Sequence, residues 1–147
     1  MSIAAEILRA AGEAGYACHM LPPAEGKSYI SSVLARYQPE KNSGHLAISH
    51  DSVSIPLEAY EFTFPKSLPQ QPVYLFFDQS GGDKGAVVVL LDGRSLGTVL
   101  EHAFGIEYFV SNDRQDYLVA VNWYVIEGAG AAVEWMTTLH TESPNNE

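Results

Sequence analysis

The chain has 147 residues, 46% of them hydrophobic and 18% charged, a composition typical of one globular domain and not of a disordered segment. It carries 18 acidic and 8 basic residues, for a formal net charge of −10, which disfavours nucleic-acid or anionic membrane partners. The single cysteine, Cys18, excludes an intramolecular disulfide and a cysteine-based metal site, and it favours a cytoplasmic location.

Two helices are predicted at the start of the chain. Ser2 can cap a first helix over residues 3–14, and Gly15 ends it. After the break at Pro22-Pro23, apolar residues spaced three and four apart predict a second helix over about residues 25–37.

The segment that follows alternates polar and apolar residues. His45 to Ile55 predicts a hairpin with Asp51 at its turn. Tyr60, Phe62 and Phe64 occupy alternate positions, which allows a short strand before a proline-rich connection.

The next elements are two strands and a helix. Val73–Phe77 and Ala86–Leu91 are predicted partner strands, joined by the glycine-rich connection 78–85. Ser95 is predicted to cap a third helix that Gly105 ends.

The stretch after this helix has the strongest strand pattern. Ile106–Val110 is one predicted strand, and residues 111–116 form a polar turn. Tyr117–Ile126 is apolar on both faces, with only Asn122 interrupting it, which indicates a central strand covered on both sides and places Trp123 in the core. Residues 131–140 predict a last strand or short helix.

Together these elements predict an α+β domain with a mainly antiparallel sheet, two N-terminal helices and one helix inserted between strands. It is expected to span residues 1–142, with 143–147 as a flexible tail. No signal peptide is expected, and the longest apolar run is too short to span a bilayer.

Motifs for catalysis or metal binding are weak. His45, His50 and Asp51 could contribute ligands, but positions five apart on a strand point to opposite faces. In residues 80–85, Lys84 precedes a glycine and a strand, so a hairpin turn is favoured over a phosphate loop. No catalytic set is identifiable by spacing, and neither an enzyme nor a cofactor is expected.

The acidic residues favour a basic protein partner. Residues 1–72 hold 5 bases and 7 acids (5 − 7, net −2), whereas residues 73–147 hold 3 bases and 11 acids (3 − 11, net −8). Carboxylates in loops would steer such a partner, and aromatic side chains would anchor it. The candidate contact residues are acidic: Asp78, Asp83, Glu107, Asp113 and Asp116.

The sequence FGIEYFV of residues 104–110, followed by Tyr117-Leu118, Asn122 and Gly128, resembles a pattern in small uncharacterised bacterial proteins. These look like immunity proteins of polymorphic or contact-dependent toxin systems. The resemblance covers about residues 73–130, including the VYLFFD strand. It departs after Asn122, where a histidine pair is expected and this chain has Trp123-Tyr124. It implies a small acidic α+β inhibitor that occludes the active or substrate site of a cognate toxin, and the net charge of −10 argues against membrane or nucleic-acid partners.

Two alternatives remain open. One is a small-molecule-binding or regulatory domain with a pocket between the helices and the sheet. The other, less favoured, is a metal-dependent hydrolase with a site assembled from Asp78, His50 or Asp92.

Overall fold

A seven-stranded antiparallel sheet forms the centre of the protein, as seen in a computed structural model that describes residues 2–141. The predicted tail, 143–147, lies outside the described residues. The helices are α1 (Ile3–Ala14), α2 (Pro23–Tyr37), α3 (Leu57–Tyr60), α4 (Leu96–Glu101) and α5 (Ala132–Thr141). The strands are β1 (Cys18–Met20), β2 (Ser52–Pro56), β3 (Val73–Phe76), β4 (Val88–Leu90), β5 (Tyr108–Ser111), β6 (Tyr117–Val121) and β7 (Val125–Gly130). Their order in the sheet is β1-β4-β3-β5-β6-β7-β2. The predicted α+β class and antiparallel sheet are therefore confirmed.

Helices cover both faces of this sheet. On one face, α1, α4 and α5 pack against alternate residues of the central strands, such as Leu75, Val110 and Val119. On the other face, α2 packs through Tyr29 and neighbouring residues onto the intervening positions of the same strands. This explains why β6 is apolar on both sides and buried throughout.

The N-terminal helix has the predicted ends. The Ser2 side chain accepts a hydrogen bond from Ala5 N at 3.1 Å, and Gly15 adopts a left-handed conformation with φ 89°. The second helix begins two residues earlier than expected, at Pro23, because proline is tolerated in the first turn.

The predicted hairpin over residues 45–55 is wrong. Leu46 and Ile48 pack beneath α2 on one face of the sheet. Residues 52–56 form the edge strand β2, which pairs with β7 and buries Ile55 on the other face. Ser49 and Asp51 have positive φ angles of 70° and 52°, so the chain does turn here. The segments before and after the turn do not pair with each other, because residues 52–56 pair with β7.

Two further local predictions also fail. The alternation of Tyr60, Phe62 and Phe64 belongs to α3 and a following 3₁₀ turn (Phe64–Ser67), and not to a strand. Ser95 does not cap α4 with its side chain, since its hydroxyl donates to Asp92 O at 2.6 Å and a 3₁₀ turn precedes the helix. The last predicted element is the helix α5.

The apolar run 117–126 is two strands and not one. Asn122 Oδ1 accepts hydrogen bonds from Tyr124 N at 2.8 Å and Val125 N at 2.9 Å, which closes a tight turn between β6 and β7. Its Nδ2 also donates to Leu46 O at 3.0 Å. Trp123 therefore lies at the tip of a turn and not in the core.

Candidate functional site

Exposed aromatic side chains gather at one end of the sheet. This end holds the C-terminus of β3, the N-terminus of β5 and the β6–β7 turn, as the antiparallel registers require. Phe104, Trp123 and Tyr124 are 46%, 49% and 68% exposed there. Soluble proteins seldom leave several large rings open side by side unless the patch binds something.

A groove of about 470 Å³ opens beside these rings, and we call it the Trp123 groove. Its lining includes the side chains of Lys41, His45, Asp78, Phe104, Glu107 and Trp123. The Trp123 ring lies close to Gly105: a Cβ added at Gly105 would be only 3.1 Å from a ring carbon. Gly105 thus allows Trp123 to form one wall of the groove.

Glu107, the residue before β5, is hydrogen-bonded to residues 45 and 46 beside the groove. Its carboxylate accepts a hydrogen bond from Leu46 N at 3.2 Å and lies 2.7 Å from His45 Nδ1. The His45 ring in turn packs edge-on against Tyr124, with 5.4 Å between the ring centroids. Glu107 and His45 therefore line the groove as a connected pair, and the Tyr124 ring packs against His45.

Asp78 is a second carboxylate in the lining of the groove. Its side chain accepts hydrogen bonds from Gly44 N at 2.8 Å and from Ser80 N at 2.7 Å and Ser80 Oγ at 2.5 Å. The bonds from Ser80 hold the pKa of Asp78 below its usual value, because they favour the ionised carboxylate. The groove therefore carries a fixed negative charge at neutral pH.

The five predicted contact carboxylates do not form one surface. Asp78 and Glu107 lie in the Trp123 groove, whereas Asp113 and Asp116 lie in the β5–β6 turn at the opposite end of the sheet. Asp113 is exposed and accepts a long hydrogen bond from Tyr74 Oη at 3.5 Å. Asp116 accepts from Asn112 Nδ2 at 2.9 Å.

Asp83 has a structural role that the sequence does not indicate. It is 8% exposed and accepts hydrogen bonds from Ser2 Oγ at 2.7 Å, Ile3 N at 2.9 Å and Ala4 N at 3.1 Å. A carboxylate at the start of a helix satisfies free N–H groups and interacts favourably with the helix dipole. Asp83 therefore anchors α1 to the β3–β4 connection, and it is poorly placed to touch a partner.

The histidines considered as metal ligands lie in separate surroundings. His45 contacts Glu107, whereas His50 contacts Gln38 O at 2.7 Å through Nε2 and Asp51 through Nδ1. Within residues 2–141, no group of three His, Cys, Asp or Glu side chains is arranged to hold a metal ion. Burial raises the pKa of the Cys18 thiol to about 11, which disfavours the reactive thiolate at neutral pH.

Sequence reasoning missed the exposure of Trp123 and Tyr124. The signal that could have revealed it is Asn122, a turn-forming residue inside an otherwise apolar run. It also missed the pairing of His45 with Glu107, which brings together residues 62 positions apart.

Comparison of the chain with protein-family models, with curated proteins and with solved structures found no match. No helix within residues 2–141 is long and apolar enough to cross a membrane.

Proposed function

We propose that this protein is an immunity-type inhibitor, which binds a cognate basic toxin and covers its active or substrate site. The observation that carries the proposal is the exposed aromatic cluster of Phe104, Trp123 and Tyr124 beside the carboxylates of Asp78 and Glu107. The resemblance of residues 104–128 to immunity proteins supplies the class of partner.

The aromatic cluster supplies the binding energy in this proposal. Trp and Tyr are the residues that most often dominate protein interfaces, and burying one at the centre of an interface contributes ~2 kcal/mol or more. The ring of Trp123 lies close to Gly105 and that of Tyr124 packs against His45, and these contacts reduce the conformational freedom that binding would remove.

The negative charge of the protein increases the rate of association and favours basic partners in this proposal. A net charge of −10 attracts a basic protein from a distance and accelerates its encounter, and this attraction weakens as salt increases. Asp113 and Asp116 lie at the far end of the sheet from the aromatic cluster, so their role in the proposal is long-range attraction and not contact.

The experiment is co-purification of the tagged protein with the product of the gene beside its own, washed at low and at moderate salt. A stoichiometric complex that weakens with salt is expected. Reversal of Asp78 and Glu107 to lysine should abolish it, whereas reversal of Asp113 and Asp116 should only slow association. A complex that survives the first reversal would contradict the proposed surface.

A second groove supports the small-molecule alternative. It has a volume of about 730 Å³, lies between α2 and residues 79–85, and includes Lys27, Lys84, Asn42 and Gln79 in its lining. Two lysines and two amides suit a small anionic ligand. A rise in melting temperature with phosphate or a carboxylic acid, lost in the Lys27→Met and Lys84→Met double variant, would favour this function.

A further inference from the structure

The two carboxylates of the Trp123 groove have acceptor capacity left for a ligand. An ionised carboxylate offers about four lone-pair sites. Asp78 uses three of them, on Gly44 N, Ser80 N and Ser80 Oγ, whereas Glu107 uses two, on Leu46 N and His45 Nδ1. Both groups are held in place by these bonds, so they are pre-organised acceptors.

The ring of Trp123 completes a site for a flat cation. Aromatic faces attract cations, with Trp the strongest of the three aromatic residues. Trp123 lines the same groove as Asp78 and Glu107, and about half of its surface is open to solvent. A guest in this groove would therefore contact an aromatic ring and two carboxylates at once.

Arginine matches this combination better than lysine does. Its guanidinium group is planar, stacks on aromatic rings and donates paired hydrogen bonds to carboxylates, whereas the lysine ammonium is a compact, strongly hydrated point charge. An anionic guest is disfavoured, because the carboxylates lie in the groove with Lys41 as the only lysine or arginine in its described lining.

We propose that the Trp123 groove binds an arginine side chain of the protein partner, with the guanidinium group stacked on Trp123 and hydrogen-bonded to Glu107 and Asp78. The identification of that partner as a toxin rests on the proposed function, but the chemistry of the groove does not. The groove can therefore be tested without the partner.

The probe is N-acetyl-arginine amide, titrated into the full-length ¹⁵N-labelled protein. The signal is the indole N–H resonance of Trp123, and Trp135 provides an internal control, because it packs on Tyr117 away from the groove. N-acetyl-lysine amide tests the geometry of the cation. N-acetyl-citrulline amide, which has nearly the same shape but no charge, tests the charge itself.

A saturable shift of the Trp123 signal is expected with the arginine probe, a weaker response with lysine and none with citrulline. An equal response to citrulline, an equal movement of Trp135, or no response to arginine would overturn the proposal. If the neighbouring gene product still forms a complex in that case, the proposed function survives with another occupant. If arginine binds but no complex forms, the proposed function fails and the groove stands.

Lys41 gives a test whose sign separates a cationic from an anionic guest. No ion pair forms on Lys41 within residues 2–141, so its charge acts on whatever enters the groove. Lys41→Met should tighten arginine binding about two- to fivefold by removing a like charge, and Glu107→Gln should weaken it at least as much. Asp113→Asn, at the far end of the sheet, is the matched control: it removes the same charge outside the groove, so it should weaken binding far less than Glu107→Gln does. Weaker binding in Lys41→Met would contradict a cationic guest.

Discussion

Two loop carboxylates, Asp83 and Asp113, have different burial and hydrogen bonding although their sequence contexts are alike. Asp83 and Asp113 both follow a strand in a polar connection. Asp83 is buried and accepts three hydrogen bonds at the start of α1, whereas Asp113 is exposed with one long contact. Composition cannot separate these two carboxylates, because the difference arises from a helix about 80 residues away in the chain.

Asp83→Ala should therefore lower the free energy of unfolding by ~1–3 kcal/mol, because it leaves the first N–H groups of α1 and the Ser2 hydroxyl without their acceptor. Urea unfolding followed by circular dichroism measures the change. Asp113→Ala is the control and should stay within ~0.5 kcal/mol of the parent protein. Equal effects of the two substitutions would show that Asp83 is not an anchor.

The candidate site was predicted only in part for the same reason. The sequence predicts Asp78 in a glycine-rich connection and Glu107 on one face of a strand, and both side chains line the Trp123 groove. Trp123 was expected in the core because the apolar pattern continues through it. The side chain of Asn122, which bonds two backbone N–H groups, overrides that pattern and turns the chain.

At the scale of elements, local signals succeeded where they were strong and long enough. The helix α1 has a serine cap, an apolar stripe and a glycine stop, so its ends were predicted to the residue. β1 has three residues, too few to show an alternation, and it was missed. The hairpin over residues 45–55 failed because the pattern of Leu46, Ile48 and Ile55 does not reveal which face of the sheet each residue covers.

Two helical glycines predict opposite effects of the same substitution. A Cβ at Gly97 in α4 would lie 2.0 Å from Phe62 O, whereas a Cβ at Gly12 in α1 would have no atom within 4 Å. Gly97→Ala should lower stability by ~1–3 kcal/mol through overpacking. Gly12→Ala should raise it by ~0.5–1 kcal/mol by restricting the unfolded chain.

Chemical denaturation of both variants tests this pair. A stable Gly97→Ala protein would mean that α4 and the segment around Phe62 can separate without cost. A destabilised Gly12→Ala protein would mean that a methyl group at this position does meet a neighbouring group on the exposed face of α1.

At the scale of the whole molecule, stability should depend on pH with a sign set by individual groups. Hydrogen bonds from Arg9 lower the pKa of Glu6, and those from Ser80 lower that of Asp78. A lowered carboxyl pKa contributes stability that is present above the unfolded values, 4.5 and 3.8, and lost as pH falls through the folded values. Glu61 acts oppositely, because burial raises its pKa.

The free energy of unfolding should therefore fall as the solution is acidified below pH 4.5, and the Glu6→Gln and Asp78→Asn double variant should show a shallower fall. His50 has the opposite pH dependence, because its contribution to the free energy of unfolding is lost as pH rises. A hydrogen bond to Gln38 O and the nearby Asp51 raise its pKa above 6.5, so its contribution is present below 6.5 and lost as pH rises through the raised value. The urea concentration at the unfolding midpoint, measured across this pH range, tests both the acid loss and the loss of the His50 contribution. An unchanged acid slope in the double variant would contradict the assignment.

The sheet order and the two-sided helical cover also belong to this scale. The sequence predicted an antiparallel sheet and a central strand covered on both faces, because β6 is apolar at every position. It did not predict that α2 covers one face alone while α1, α4 and α5 share the other, since that depends on long-range packing. The net charge of −10 was visible from composition, but the placement of Asp78 and Glu107 at one end of the sheet and of Asp113 and Asp116 at the other was not.

The most direct test of the proposed inhibitor function is a growth assay in cells that express the product of the neighbouring gene. We expect this product to be toxic, the parent protein to restore growth, and Trp123→Ser combined with Glu107→Gln to abolish the rescue. Leu91→Ala removes an equally exposed apolar side chain at the opposite end of the sheet and should leave the rescue intact. A harmless neighbour, or full rescue by the Trp123 and Glu107 double variant, would contradict the account.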